Sequence, residues 1–226
     1  GKEHVTGILM PSQFSSMHSV SDAVDLVNNI GARYEIIPID KIYGMYMLEM
    51  DRFFALNQWS VALENLQARI RGSILMTYSN KFNALLLNTS NKSELCMGYG
   101  TLYGDLCGAM MVIADLYKLQ VYELAEYINR DGIVIPTSTI KKEPSAELRP
   151  NQKDSDSLPP YEELDPVLHA LVEENLSPEQ VKATGADASL VDRIESLKGK
   201  SAFKLAQIPP VLSVGERPLV PPFKCI

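Results

Sequence analysis

Apolar positions along the chain fall into two kinds of grouping, short continuous runs and stripes spaced by three or four residues. His4-Val5-Thr6-Gly7-Ile8-Leu9-Met10 and Ala84-Leu85-Leu86-Leu87 have strand length, whereas Ala23, Val24, Leu26, Val27 and Ile30 recur at helical spacing. Serine and aspartate open that helix, and Gly31 can close it in a left-handed conformation. The order predicted is a strand at 4–10, a helix at 19–30, a strand at 33–39, helices through 44–82, a strand at 84–88 and then more helix. Such alternation implies an α/β fold, a parallel sheet flanked by helices. The unbroken 84–87 run predicts a strand buried on both faces. The polar stretch after it then leaves the carboxyl edge of the sheet, where open α/β sheets bind ligands.

Within 44–82, Leu63, Leu66, Ile70 and Ile74 form the apolar stripe, which sets Asn65, Arg69 and Gly72 on a second one that can face a ligand. Tyr117, Val121, Leu124 and Ile128 make another amphipathic helix, with Lys118 on its flank and Asn129-Arg130-Asp131-Gly132 at its end. Residues 136–160 are rich in proline, serine and charge and read as a long mobile loop or lid. Helices at 161–174 and 187–205 and an extended proline-rich tail from Pro209 complete a helical C-terminal part, 161–226. No internal repeat is present.

Composition narrows the function classes. The chain has 226 residues, 46% hydrophobic and 22% charged, which is ordinary for one folded α/β domain. A formal charge of -7 argues against a general nucleic-acid binder. No apolar run approaches the roughly 20 residues that span a bilayer. Cys96, Cys107 and Cys225 are odd in number and lack metal-ligand spacing, which favours reduced thiols in the cytoplasm. His4, His18 and His169 are scattered without ligand spacing.

The stretch Asn88-Thr89-Ser90-Asn91-Lys92-Ser93-Glu94, followed by Gly98-Tyr99-Gly100-Thr101-Leu102-Tyr103-Gly104-Asp105, crowds hydroxyls, amides, a lysine and carboxylates behind an apolar run. It resembles the central signature of NAD+ synthetases. Met10-Pro11-Ser12-Gln13-Phe14-Ser15-Ser16, Ser21-Asp22-Ala23, Glu64 to Gly72 and Glu143-Pro144-Ser145-Ala146-Glu147-Leu148 agree in the same order. The resemblance covers nearly the whole chain and implies an adenine-nucleotide alpha-hydrolase-like (ATP pyrophosphatase) fold. It also implies ATP-dependent amidation of deamido-NAD+ to NAD+ through an adenylated intermediate, with Mg2+, ATP as co-substrate, ammonia or glutamine as nitrogen source, and a homodimer.

Residue by residue, the resemblance implies that Thr89, Lys118 and Ser145 contact ATP. It implies that Asn65, Arg69, Glu94 and Lys204 contact deamido-NAD+, Lys204 through the pair Phe203-Lys204, and that Glu94 also serves the metal. No protein nucleophile is implied. Each has a plainer reading from the residues alone: Thr89 as a helix cap, Glu94 as a first-turn glutamate favoured by the helix dipole, Asn65 and Arg69 as a solvated stripe, Lys118 and Ser145 as surface residues.

Two departures stand out. Leu102 stands where some members carry lysine, a form resembling the glutamine-fed members and implying a glutaminase domain upstream. The Ser-Gly-Gly-x-Asp-Ser loop that binds pyrophosphate in this family occurs nowhere in the chain. Together with an opening strand and no initiating methionine, this predicts an incomplete synthetase domain lacking its first strand. Gly98-x-Gly100-x-x-x-Gly104 has the wrong spacing for a dinucleotide fingerprint. Two other readings stay open, a GMP-synthetase-like ATP-pyrophosphatase amidotransferase and a noncatalytic nucleotide-binding fragment.

Overall fold

The computed structural model describes residues 1–54, 59–215, 217 and 219. Cys225 and the end of the proline-rich tail lie outside the described residues. β1 (Thr6–Leu9) pairs in parallel with β2 (Arg33–Ile36) across α1 (Met17–Ile30). Ser16 accepts from Ser19 N at the start of α1, and Gly31 ends it at φ 68°. β2 is shorter than the predicted 33–39 strand because Pro11, on the chain that follows β1, has no N–H to return a bond to the β2 chain. The two chains nevertheless stay side by side, since Ile37 N donates to Leu9 O and Ile39 N to Pro11 O.

The predicted helical stretch is two helices, α2 (Asp40–Phe54) and α3 (Val61–Phe82). The stripe on α3 packs as its spacing requires: Ile70 joins Ile39 and Tyr43 in a buried cluster, with Leu66 and Ile74 against it. Asn83, in the left-handed region at φ 50°, ends α3 and turns the chain.

The strand expected at 84–88 is only β3 (Leu87–Asn88), and its burial on both faces is not found. Leu85 is 75% exposed and Leu87 51%. The cause is topological, since among the described residues β3 has a ladder partner on one side only, β4 (Met110–Met111). Val211 bridges to Met111 in parallel and extends this small sheet with the start of the tail.

Helices then dominate: α4 (Lys92–Met97), α5 (Lys118–Ile128), α6 (Thr137–Lys141), α7 (Tyr161–Val172), α8 (Pro178–Ala183) and α9 (Ala188–Leu205). Leu164, Leu168, Val191 and Ile194 from α7 and α9 are fully buried and hold Cys96 and Met97 of α4 in the largest core. α8 was not anticipated, although Ser177-Pro178-Glu179-Gln180 forms a capping box with proline in the first turn. Residues 136–160 carry α6 and a 3-10 turn at Asp154–Asp156. Among the described residues no helix is long and apolar enough to cross a membrane.

Candidate functional site

The signature residues 88–105 fold back on α3. Asn88 joins the two halves: its Nδ2 donates to Asp105 O and to Cys107 O at 2.9 Å, while its Oδ1 accepts from Ser90 N at 2.9 Å. Asp105 in turn accepts from Thr101 N at 2.8 Å, and Thr101 Oγ1 donates to Asn65 Oδ1 at 2.7 Å. Glycines permit this close approach. A Cβ on Gly72 would sit 2.9 Å from Tyr103 O, and one on Gly104 would sit 2.9 Å from Ala68. The Gly-rich signature is thus a backbone-on-helix packing device, in keeping with its lack of a dinucleotide fingerprint.

A cavity of about 640 Å³ lies between α3 and this loop, and Met10, which follows β1, and Thr89, which follows β3, both line it. It therefore opens at the carboxyl ends of β1 and β3, one strand from each of the two small parallel sheets. Asn65 and Lys204 also line it. Lys204 Nζ donates to Gly98 O and Gly100 O, both at 2.7 Å, so α9 reaches across to fix the loop. Burial pulls the Lys204 ammonium below the usual lysine range, against the pull of Asp105. Burial likewise pushes the Asp105 carboxyl up, opposed chiefly by its backbone hydrogen bonds.

Arg69 lies elsewhere. It is exposed, donates from Nε to Leu102 O at 3.3 Å, and lines a smaller cavity of about 470 Å³ with Tyr103 and Gln207. Helix angle alone does not separate it from its neighbour. At about 100° per residue, Arg69 and Arg71 flank the stripe of Val61, Asn65, Ala68, Gly72 and Leu75 by about 80° on opposite sides, and packing decides between the flanks, since Leu102 lies on the Arg69 side and Met10 on the Arg71 side. Arg71, not singled out by the sequence reading, lines the larger cavity, and its Nε donates to Met10 O at 3.0 Å.

Glu94 and Lys118 are brought together at 3.5 Å, each side chain 19% exposed. Glu94 also completes a capping box: Asn91, not Thr89, is the cap of α4, and Glu94 Oε2 accepts from Asn91 N at 3.2 Å. Burial raises the Glu94 carboxyl above its ordinary range, with Lys118 and the Asn91 bonds opposing it. Lys118 Nζ lies over the Tyr161 ring at 5.4 Å, and Asp154 accepts from Tyr161 at 3.1 Å and from Tyr99 at 3.2 Å. Tyr99 lines the cavity, so this polar cluster abuts its wall.

Ser145 donates to Gln152 O, and Gln152 and Ala146 line the cavity. The 144–157 segment is fastened over α3 by Gln67 Nε2 to Leu148 O at 2.7 Å and by Arg149 to Glu64 at 3.3 Å. Thr89, Asn65 and Lys204 thus share one cavity, Glu94 and Lys118 pair beside it, Ser145 sits in the segment covering it, and Arg69 stands apart.

The family model of NAD synthase matches residues 1–208. A glutamine-dependent NAD(+) synthetase from Synechocystis sp. is 48% identical over 217 residues, covering 96% of this chain but 39% of that protein. Among solved structures, the NH3-dependent NAD synthetase of Campylobacter jejuni, in complex with the nitrate ion, matches with TM-score 0.71 and 35% identity, covering 94% of this chain and 79% of that one. The glutamine-dependent NAD+ synthetase of Acinetobacter baumannii in complex with adenosine diphosphate matches with TM-score 0.62 and 36% identity, over 96% of this chain and 39% of that one. The helix-rich α/β architecture is consistent with the adenine-nucleotide alpha-hydrolase fold. A signature folded against α3 over a strand-end cavity and a match over nearly the full length agree: this chain belongs to the NAD synthase family.

Proposed function

We propose that this chain forms the amide bond of a glutamine-dependent NAD+ synthetase. Its cavity binds ATP and deamido-NAD+, and the nicotinate carboxylate attacks the α-phosphorus of ATP, releasing pyrophosphate. Ammonia then adds to the acyl carbon, the C–O bond to AMP breaks as the C–N bond forms, and the excess proton leaves to solvent. The single observation carrying this reading is the cavity of about 640 Å³ at the carboxyl ends of β1 and β3 that Asn65, Thr89 and Lys204 line.

In this reading Thr89 donates its hydroxyl to the nucleotide, Asn65 orients the dinucleotide together with Thr101, and Lys204 keeps the loop that borders it in place. Lys118 and Ser145 approach the nucleotide phosphates from the polar cluster and the covering segment. Arg69 acts through the Leu102 carbonyl on the same loop. Glu94 offers one hard carboxylate, which fits Mg2+ held jointly with nucleotide phosphates and water; when bound, the ion would offset phosphate charge.

The nitrogen source is glutamine through a glutaminase partner domain, supported by the glutamine-dependent relatives, of which the chain spans 39% or less in the first three, and by Leu102. A cytoplasmic homodimer belongs to the same reading, and α2 leaves Met45, Leu48, Phe53 and Phe54 exposed, apolar side chains of the kind subunits bury. The test is an assay with ATP, Mg2+, deamido-NAD+ and either ammonia or glutamine. NAD+ and AMP in equal amounts are expected. Neither product, with nucleotide still bound, would instead establish a noncatalytic nucleotide-binding module, and amidation of a different acid would favour another ATP-pyrophosphatase amidotransferase.

A further inference from the structure

We infer that Arg71 is the phosphate-reading residue of the large cavity, receiving a phosphate of the bound nucleotide on its Nη edge. This rests on the nucleotide-binding reading above. Three observations carry it. First, Arg71 and Lys204 are the cations lining that cavity among the described residues, and Lys204 is engaged by the carbonyls of Gly98 and Gly100. Second, Arg71 is oriented but not neutralised. Its Nε is fixed on Met10 O at 3.0 Å, and no carboxylate among the described residues makes an ion pair with it.

Third, two of the three acids that act on Arg71 are engaged elsewhere. Glu147 is bound by Lys142 at 2.5 Å, Ser19 Oγ at 2.8 Å and Ser16 N at 3.1 Å, and Asp105 by Thr101 N. Burial lowers the basicity of Arg71, with Glu147, Asp40 and Asp105 opposing at longer range, yet a guanidinium stays charged in proteins. A desolvated, pre-oriented guanidinium fork whose Nη edge makes no hydrogen bond among the described residues matches a phosphate, which accepts two parallel hydrogen bonds from such an edge. Its anchor on the backbone after β1 sets that fork at the strand ends, the usual ligand-binding edge of such sheets.

Two phosphate sources fit this chemistry, the chain of an adenine mononucleotide and the pyrophosphate of a dinucleotide. The protein, Arg71→Gln and Arg71→Lys are each titrated calorimetrically with adenosine, ADP and NAD+. Arg71→Gln is expected to weaken ADP or NAD+, or both, by roughly 10- to 100-fold, the range for losing a charge-assisted hydrogen bond. Adenosine should change by less than about twofold, and Arg71→Lys should restore part of the loss because the charge remains while the fork does not. Whichever phosphate ligand is weakened identifies the source. Equal loss for adenosine and ADP would overturn the assignment, showing that Arg71 only supports Met10. So would unchanged ADP and NAD+ affinities in Arg71→Gln. Failure of the unsubstituted protein to bind any of the three would instead remove the nucleotide-binding reading, and this assignment with it.

Discussion

Lys92 and Arg71 are both buried or half-buried cations, and their surroundings differ in one respect, saturation. Lys92, fully buried at the start of α4, donates to Asp115 at 2.9 Å, to Glu173 and to Arg217 O at 3.1 Å. Asp115 also accepts from Val214 N at 2.8 Å and Gly215 N at 2.7 Å, so one buried cluster ties α4, α7 and the tail together. Burial acts against the Lys92 ammonium, but the hydrogen bonds it donates to Glu173 and Asp115 outweigh it and its pKa is raised. Every donor there has an acceptor. At Arg71 the Nη edge is left for a ligand. Two cations in comparable shelter thus do opposite work, and what separates them is whether the protein itself completes their partners.

Substituting Lys92 breaks the saturated side most severely. Lys92→Ala leaves the buried Asp115 without its cation and Glu173 without its partner, at a cost of about 3–5 kcal/mol, the range for removing one member of a buried ion pair. Urea unfolding of the two proteins measures it, and a loss below about 1 kcal/mol would show that water already reaches the cluster. The pH dependence has a definite sign. Asp115, whose hydrogen bonds to Lys92, Gly215 and Val214 outweigh the opposing effect of burial, sits below its ordinary 3.8. Its contribution is present above 3.8 and is lost as pH falls through the depressed value. The Lys92 contribution is present below 10.5 and is lost as pH rises through the raised value. Lys92→Ala should flatten both edges of the stability profile.

The Glu94–Lys118 pair is intermediate, half-buried and only loosely closed. Glu94→Gln retains the Asn91 cap, since glutamine also serves in a capping box, and removes a carboxylate that burial disfavours. Melting should shift by less than about 1 kcal/mol in stability, while turnover with ATP and deamido-NAD+ should fall about 100-fold, the scale for deleting one electrostatic contact at a reacting phosphate. A stability loss of several kcal/mol with turnover intact would move Glu94 to the saturated class.

The smallest effect belongs to the covering segment. Glu147→Gln weakens the tie from Lys142 and Ser19 to the start of α1, costing about 1 kcal/mol, visible as faster amide exchange around 142–148. Hydrogen bonds from Lys142, Ser19 and Ser16 outweigh the opposing effect of burial and hold this carboxyl below its usual range. The tie is therefore intact above 4.5 and is lost as pH falls through the depressed value. Exchange that is unchanged by the substitution would show that the segment is held by Gln67 and Arg149 alone.

Much of this was legible beforehand. Apolar spacing located α1 and α5 to within a few residues, the helices read at 161–174 and 187–205 are α7 and α9, and Gly31 marked the end of α1, whereas 44–82 read as helical without its division into α2 and α3. The capping box of α8 was also readable, but six residues carry too little apolar repeat to announce a helix. Asn65, Thr89 and Lys204 could be named from the signature and its neighbours. Arg71 could not, because periodicity says which residues share a face of α3 and not which face meets a cavity. That was decided by Ile70 docking on Ile39 and Tyr43 and by Gly72 meeting the 103–104 backbone.

By itself the sequence determined the family, the order of elements and the polar stretch around which the site is built, because local spacing and short motifs are written along the chain. Only the tertiary structure decided that Lys92 is saturated, that Glu94 divides itself between Asn91 and Lys118, and that Arg71 rather than Arg69 borders the cavity. Those outcomes depend on partners 23 and 81 residues distant, as Asp115 and Glu173 are from Lys92, and on the rotation of one packed helix. Neither has a local signature, since a side chain's charge is encoded at its own position and its neutralisation is encoded elsewhere.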